Sequence, residues 1–141
     1  MDDMRERFGI LIRPTGRFET VQLGFDGGEK TMLEAIKAFF GGDADWSRTN
    51  DEYAYFSAVD AIGNGYMKNE AAAWFANMPQ YGGVIIVPKK KKEDGYAIYP
   101  LTLSDAYKKA VWMQTLWNRE CDYRANPERY SFKNKNNAVQ A

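Results

Sequence analysis

The side chains of this chain that could do chemistry are carboxylates, amines, phenols and one thiol, because none of its 141 residues is histidine. Histidine is the usual general base near neutral pH, the group that activates serine and cysteine nucleophiles, and the commonest metal ligand. With Cys121 as the single cysteine, a zinc site would have to be built almost entirely from carboxylates, which zinc rarely accepts. Carboxylate chemistry remains. Asp43-Ala-Asp45-Trp-Ser47 starts like a calcium loop, but Arg48 stands where that loop needs glycine and Ala54 where it needs a bidentate glutamate. Asp43, Asp45, Asp51, Glu52 and Asp60 carry the oxygens a magnesium ion prefers, yet no spacing makes them converge. The residues therefore point to a non-enzymatic protein with no metal and no cofactor.

Three groups of residues could bind. Gly63-Asn64-Gly65, with Asn69 at the start of an expected helix, lies where a phosphate cradle would be, although its spacing matches neither nucleotide-binding fingerprint. A plain turn explains the same residues, since glycine and asparagine tolerate positive φ. Lys89, Lys90, Lys91 and Lys92 are expected at an exposed hairpin tip, where they could meet phosphates while Tyr96 and Tyr99 stack bases. A solvated tip that discourages edge pairing is the alternative. The last helix carries Trp112 and Leu116, offset from its core stripe, with Tyr107 and Val111 on its flank. These four are the candidate partner or oligomer interface, since tryptophan and tyrosine anchor interfaces most often.

The elements that must position these groups can be read from periodicity. Phe8–Arg13 and Arg17–Leu23 read as strands joined by Pro14-Thr15-Gly16. Thr31 and Glu34 have capping-box spacing ahead of a stripe of Leu33, Ile36 and Phe40, and Gly41-Gly42 stops that helix. Asp43–Glu52 reads as an acidic loop. Tyr53–Val59 is apolar on both faces and reads as an interior strand, and a short helix follows from Asn69 to Asn77. Val84–Val87 reads as the central strand and Tyr96–Tyr99 as its partner. Thr102 and Asp105 open a final helix to about Cys121, with Ala106, Ala110, Met113, Trp117 and Cys121 as its buried stripe. The order β-β-α-β-α-β-β-α predicts one α+β domain over residues 1–121, with helices packed on a mostly antiparallel or mixed sheet. Residues 122–141 lose periodicity and read as a mobile or irregular tail.

Composition agrees with one globular domain, at 45% apolar and 15% aromatic residues. No apolar run reaches membrane-spanning length, and the start, MDDMRERFGI, lacks the apolar segment of a signal peptide. With one cysteine, these features predict a cytoplasmic protein. Zero net charge hides an asymmetry: residues 1–60 hold 12 acids and 7 bases, and residues 61–141 hold 12 bases and 7 acids. The chain thus lacks the strong negative excess of a nucleic-acid mimic.

Over Phe8 to Lys109 the chain resembles the family catalogued as domain of unknown function 3846, small proteins carried by phages, plasmids and other mobile elements. The resemblance lies in ILIRPTG and RFETVQL, TMLEAIKAFFGG, YAYFSAVDAIGNGYMKNEAAAWFA, GGVIIV, and YPLT with LSDAYKKA. It implies a mobile-element origin and an accessory role, with no catalytic residue to carry over. The expected function is a small binding protein that modulates or inhibits a host component, such as a defence system, through a protein surface or by sequestering a ligand. The alternatives are a nucleic-acid-binding accessory protein using the basic half, and a nucleotide or anion binder with its site between protomers. A host protein or a second copy is the expected partner, ahead of nucleic acid, with no membrane involved.

Overall fold

Strands Phe8–Ile12 (β1) and Phe18–Gln22 (β2) pair antiparallel around Pro14-Thr15-Gly16, as expected. Gly16 completes the reversal at φ 91°, where a side chain would be strained and a Cβ would meet Trp117 Nε1 at 2.9 Å. The computed structural model describes residues 7–24, 29–46, 52–59 and 61–129. Helix Glu29–Phe40 (α1) follows the hairpin, then strands Ala44–Trp46 (β3) and Tyr53–Ala58 (β4), and helix Glu70–Ala76 (α2). Strands Val84–Lys92 (β5) and Gly95–Ile98 (β6) lead to helix Leu103–Ala125 (α3). The result is a single α+β domain. Its sheet runs β2-β1-β5-β4-β3, with β6 on the far half of β5, and every pairing among the described residues is antiparallel.

Strand periodicity of two divides the core between the faces of this sheet. Ile10, Ile12, Tyr55, Val84 and Ile86 pack under Ala71 and Ala72 of α2 and Ala110, Met113 and Trp117 of α3. Leu11, Ala54, Phe56, Ile85 and Val87 pack under Met32 and Ile36 of α1. The run Val84–Val87 is apolar at every position because both faces are covered, which places β5 at the centre. Helix α1 ends at the expected double glycine. Gly41, at φ 74°, donates its N–H to Ala38 C=O at 3.1 Å, and Gly42 donates to Lys37 C=O at 3.0 Å.

Three local expectations need correction. Helix α1 already includes Glu29, so Thr31 lies inside its first turn and does not form a capping box with Glu34. The expected acidic loop contains β3, which pairs Ala44–Trp46 with Phe56–Ala58. The Trp46 and Phe56 rings sit 5.6 Å apart, a cross-strand contact that offsets the poor strand propensity of aspartate. A strand cannot wrap a calcium ion as that loop would; Ser47, Arg48, Asp51 and Asp60 lie outside the described residues. Helix α3 continues past Cys121, which is exposed, because the buried stripe ends at Trp117. Asp122, expected to open the tail, accepts hydrogen bonds from Asn126 Nδ2 and Arg129 Nη1 at 3.1 Å each. Helix and hydrogen bonds therefore run past the expected boundary at 121 as far as Arg129, and residues 130–141 lie outside the described part.

Candidate functional site

Helix α3 starts where its spacing predicts, with the Asp105 N–H donating to Thr102 Oγ1 at 3.1 Å. Ala106, Ala110, Met113 and Trp117 are its buried residues, as the stripe requires. Tyr107 and Val111 each follow a stripe residue by one position, whereas Trp112 and Leu116 each precede one. One residue turns an α-helix by about 100°, so these two pairs lie on opposite flanks. The single interface expected from Tyr107, Val111, Trp112 and Leu116 is thus divided in two. All but Leu116 are strongly exposed, with Tyr107 at 62%, Trp112 at 52% and Val111 at 46%.

On one flank, Tyr107 and Val111 wall a groove of about 300 Å³ against Phe18, Glu19 and Thr20 of β2. Gln114 closes one end of it. Its Oε1 accepts from the Phe18 N–H at 2.9 Å, and its Nε2 donates to Gly16 C=O at 2.9 Å and to Asn118 Oδ1 at 3.0 Å. On the far side of the same strand, Arg13 Nε donates to Glu19 Oε2 at 2.8 Å, and Arg17 Nε lies 3.3 Å from that oxygen. The hydrogen bond from Arg13 holds the Glu19 carboxyl below its ordinary pKa, against a smaller opposing effect of burial.

On the other flank, Trp112 faces a cleft of about 400 Å³ with Tyr53, Leu101, Asp105, Lys108 and Lys109. The Lys109 ammonium lies 4.4 Å from the Trp112 ring centroid and 5.0 Å from that of Tyr53, held between two π faces. Leu116 lines the next cavity along this flank, about 290 Å³, with Trp74, Arg119, Glu120 and Tyr123. Lys109 and Gln114 were absent from the sequence-predicted site. Their roles depend on Tyr53 and Gly16, more than fifty residues away, and no local signal marks them.

The lysine run is not a hairpin tip. Lys89, Lys90, Lys91 and Lys92 are strand residues of β5, opposite Ile98, Ala97, Tyr96 and Gly95, and the turn shrinks to Glu93-Asp94. Strand alternation sends Lys89 and Lys91 to one face and Lys90 and Lys92 to the other, so no four-lysine patch forms. Lys90, Lys91 and Lys92 are exposed, but Lys89 is only 5% exposed, with its Nζ 4.1 Å from the Tyr96 ring centroid.

The expected ligand turn also comes apart. Gly63, Asn64 and Gly65 form an exposed turn closed by Gly65 N–H to Ile62 C=O and Tyr66 N–H to Ala61 C=O, each 3.0 Å. Asn69 is wholly buried. It caps α2 by accepting from the Ala72 N–H at 2.9 Å, while its Nδ2 donates to Ile12 C=O and Gly82 C=O at 2.8 Å each. Its amide is used by the fold, which leaves it no role toward a ligand. Among the described residues, no group of three or more histidines, cysteines, aspartates or glutamates could hold a metal ion, and no helix is long and apolar enough to cross a membrane.

No family model matches the chain, and no curated protein matches it. Among solved structures it is similar to the crystal structure of small RNA methyltransferase HEN1, with a TM-score of 0.52 and 17% identity. The match covers 76% of this chain and 16% of that one. A likeness this remote concerns the fold of a segment and carries no chemistry.

Proposed function

We propose that this is a non-catalytic binding protein whose working surface is the Trp112 flank of α3. The observation that carries the reading is Trp112 itself, 52% exposed on a helix whose sheet-facing stripe is fully packed. A tryptophan left half in water beside a cleft that joins Tyr53 and Leu101 to the charged Asp105, Lys108 and Lys109 is suited to anchor a protein interface. Leu116 and Tyr123 extend the apolar surface along the helix, and Lys108 and Arg119 give it a charged rim. The partner class this suits is a folded protein. A mobile-element origin, and a role in modulating a host component such as a defence system, rest on the sequence resemblance.

Affinity purification from the host, with wild type and Trp112→Ala as parallel baits, tests this reading. A partner held by wild type and by Tyr107→Ala, but lost at least tenfold by Trp112→Ala, supports it. Equal capture by all three baits overturns it. A second reading, nucleic-acid binding, is favoured by exposed Lys90, Lys91 and Lys92 together with Lys108 and Lys109 beside two aromatic rings. It requires affinity for a single strand that falls steeply with salt, with a shallower slope after Lys108→Gln and Lys109→Gln.

A further inference from the structure

Two features that the Trp112 flank does not use lie side by side at the β2 margin of the sheet. Among the described residues, β2 pairs only with β1. Antiparallel strands turn alternate residues toward each neighbour. Leu23 N–H donates to Arg7 C=O and Arg13 N–H to Arg17 C=O, so the odd-numbered residues of β2 bond to β1. Phe8, opposite Gln22, exchanges its backbone bonds with Leu101 on the other side of β1. Phe18, Thr20 and Gln22 therefore turn their backbone groups outward. Gln114 already holds the Phe18 N–H and the Gly16 C=O, which leaves the N–H and C=O of Thr20 and of Gln22 as a short ladder that no strand among the described residues pairs with.

Beside this ladder runs the stripe Leu103, Tyr107 and Val111, spaced i, i+4, i+8 and exposed at 46%, 62% and 46%. The other margins of the sheet are guarded. Strand β3 has three residues, and β6 has four and pairs with the lysine-bearing end of β5. Strand β2 (FETVQ) has neither proline nor lysine, its one charged residue, Glu19, is paired with Arg13 and Arg17, and it carries β-branched Thr20 and Val21 at its centre. An unguarded edge flanked by an apolar helix stripe is one that a partner covers.

We propose that a second copy of this chain covers it, pairing β2 with β2 about a two-fold axis at Val21. Thr20 then exchanges both backbone hydrogen bonds with the partner's Gln22, and Gln22 with the partner's Thr20. A two-fold at Thr20 would instead call on the Phe18 N–H, which Gln114 holds. The edge is thus self-complementary in the register that Gln114 leaves open. The same axis sets the Tyr107 stripe against its own copy and joins the two six-stranded sheets edge to edge. A five-residue strand and three half-exposed apolar side chains from each copy amount to roughly 1,000 Å² in total, the size of a weak, reversible pair.

Sedimentation equilibrium of the full chain, from micromolar to millimolar concentration, tests the proposal. The expected mass rises from 16.1 kDa toward twice that value. Tyr107→Lys removes the apolar stripe at an exposed position, and Thr20→Pro removes an outward N–H while sparing the β1 ladder. Each should weaken association by about tenfold or more, whereas Trp112→Ala should leave it unchanged, so this proposal and the function of the Trp112 flank fail separately. A mass of 16.1 kDa throughout, a dimer that survives either substitution, or one lost with Trp112→Ala overturns the proposal. Amide exchange of wild type gives a reading that no variant's folding can confuse. The Thr20 and Gln22 amides should slow as concentration rises, and exchange independent of concentration overturns the pairing.

Discussion

Asn69 and Gln114 tie the two helices of one face to the same hairpin, and both do so through a carboxamide bonded to backbone. Asn69 is wholly buried and bonds Ile12 C=O, Gly82 C=O and the Ala72 N–H. Gln114 is half-buried and bonds the Phe18 N–H and Gly16 C=O at the margin of the sheet. The chemistry is alike and the surroundings differ. Water can replace a lost partner at Gln114, but at Asn69 it has no access. The first tie fixes the fold, and the second shapes an edge that another molecule can reach.

The largest loss is expected at Asn69. Asn69→Ala removes the side-chain bonds to two buried carbonyls and one N–H, and should cost roughly 3–5 kcal/mol, a large share of the stability of a small domain. Denaturant unfolding measures it. Asn69→Asp should cost at least as much, because it keeps the cap acceptor but turns a carboxylate toward two carbonyl oxygens. Gln114→Ala should cost only about 1 kcal/mol, with faster amide exchange at Phe18, since solvent takes over the exposed bonds. Equal losses at the two sites would show that burial is not what separates them.

Half of this contrast was legible in the sequence. Asn69 ahead of Glu70 and an alanine run reads as a helix cap, and it is one. Its bonds to Ile12 and Gly82 were not legible, because one of them spans 57 positions of sequence. The buried stripe of α3 was read correctly from periodicity up to Trp117. Grouping Tyr107 and Val111 with Trp112 and Leu116 overlooked that they stand on either side of that stripe by one residue. That division could have been counted from the sequence. The strand β3 could not, since Asp-Ala-Asp has poor strand propensity and Trp46 finds Phe56 only in the folded sheet. Lys89 was misplaced for a related reason. Pro88 reads as the end of a strand, but it sits opposite Tyr53 within β5, and the strand runs on through the lysines.

A smaller loss is expected on the flank of α3. Trp112→Ala should change unfolding free energy by only about 1 kcal/mol, since it loses the contact with the Lys109 ammonium and a partly solvated apolar surface rather than a core site. A melting curve decides this, and a loss of several kcal/mol would mean that Trp112 is core rather than surface.

The smallest effect belongs to a third tie in the same hairpin, the ion pair of Arg13 and Glu19, which stands largely in water with side chains 48% and 29% exposed. The Arg13 hydrogen bond, helped by the charges of Arg13 and Arg17, holds the folded-state pKa of Glu19 below its unfolded value. A depressed carboxyl pKa stabilises the fold above the unfolded value of about 4.3, and the contribution disappears as pH falls through the lower folded value. Solvent screening limits it to a few tenths of a kcal/mol. Glu19→Gln should therefore lower the melting temperature slightly at neutral pH, less in high salt, and not at all once acid has protonated Glu19 in both states. A larger loss, or one that persists in acid, would mean that Glu19 supports the hairpin by packing along β2 rather than by charge, and the grading of these ties by exposure would fail at its exposed end.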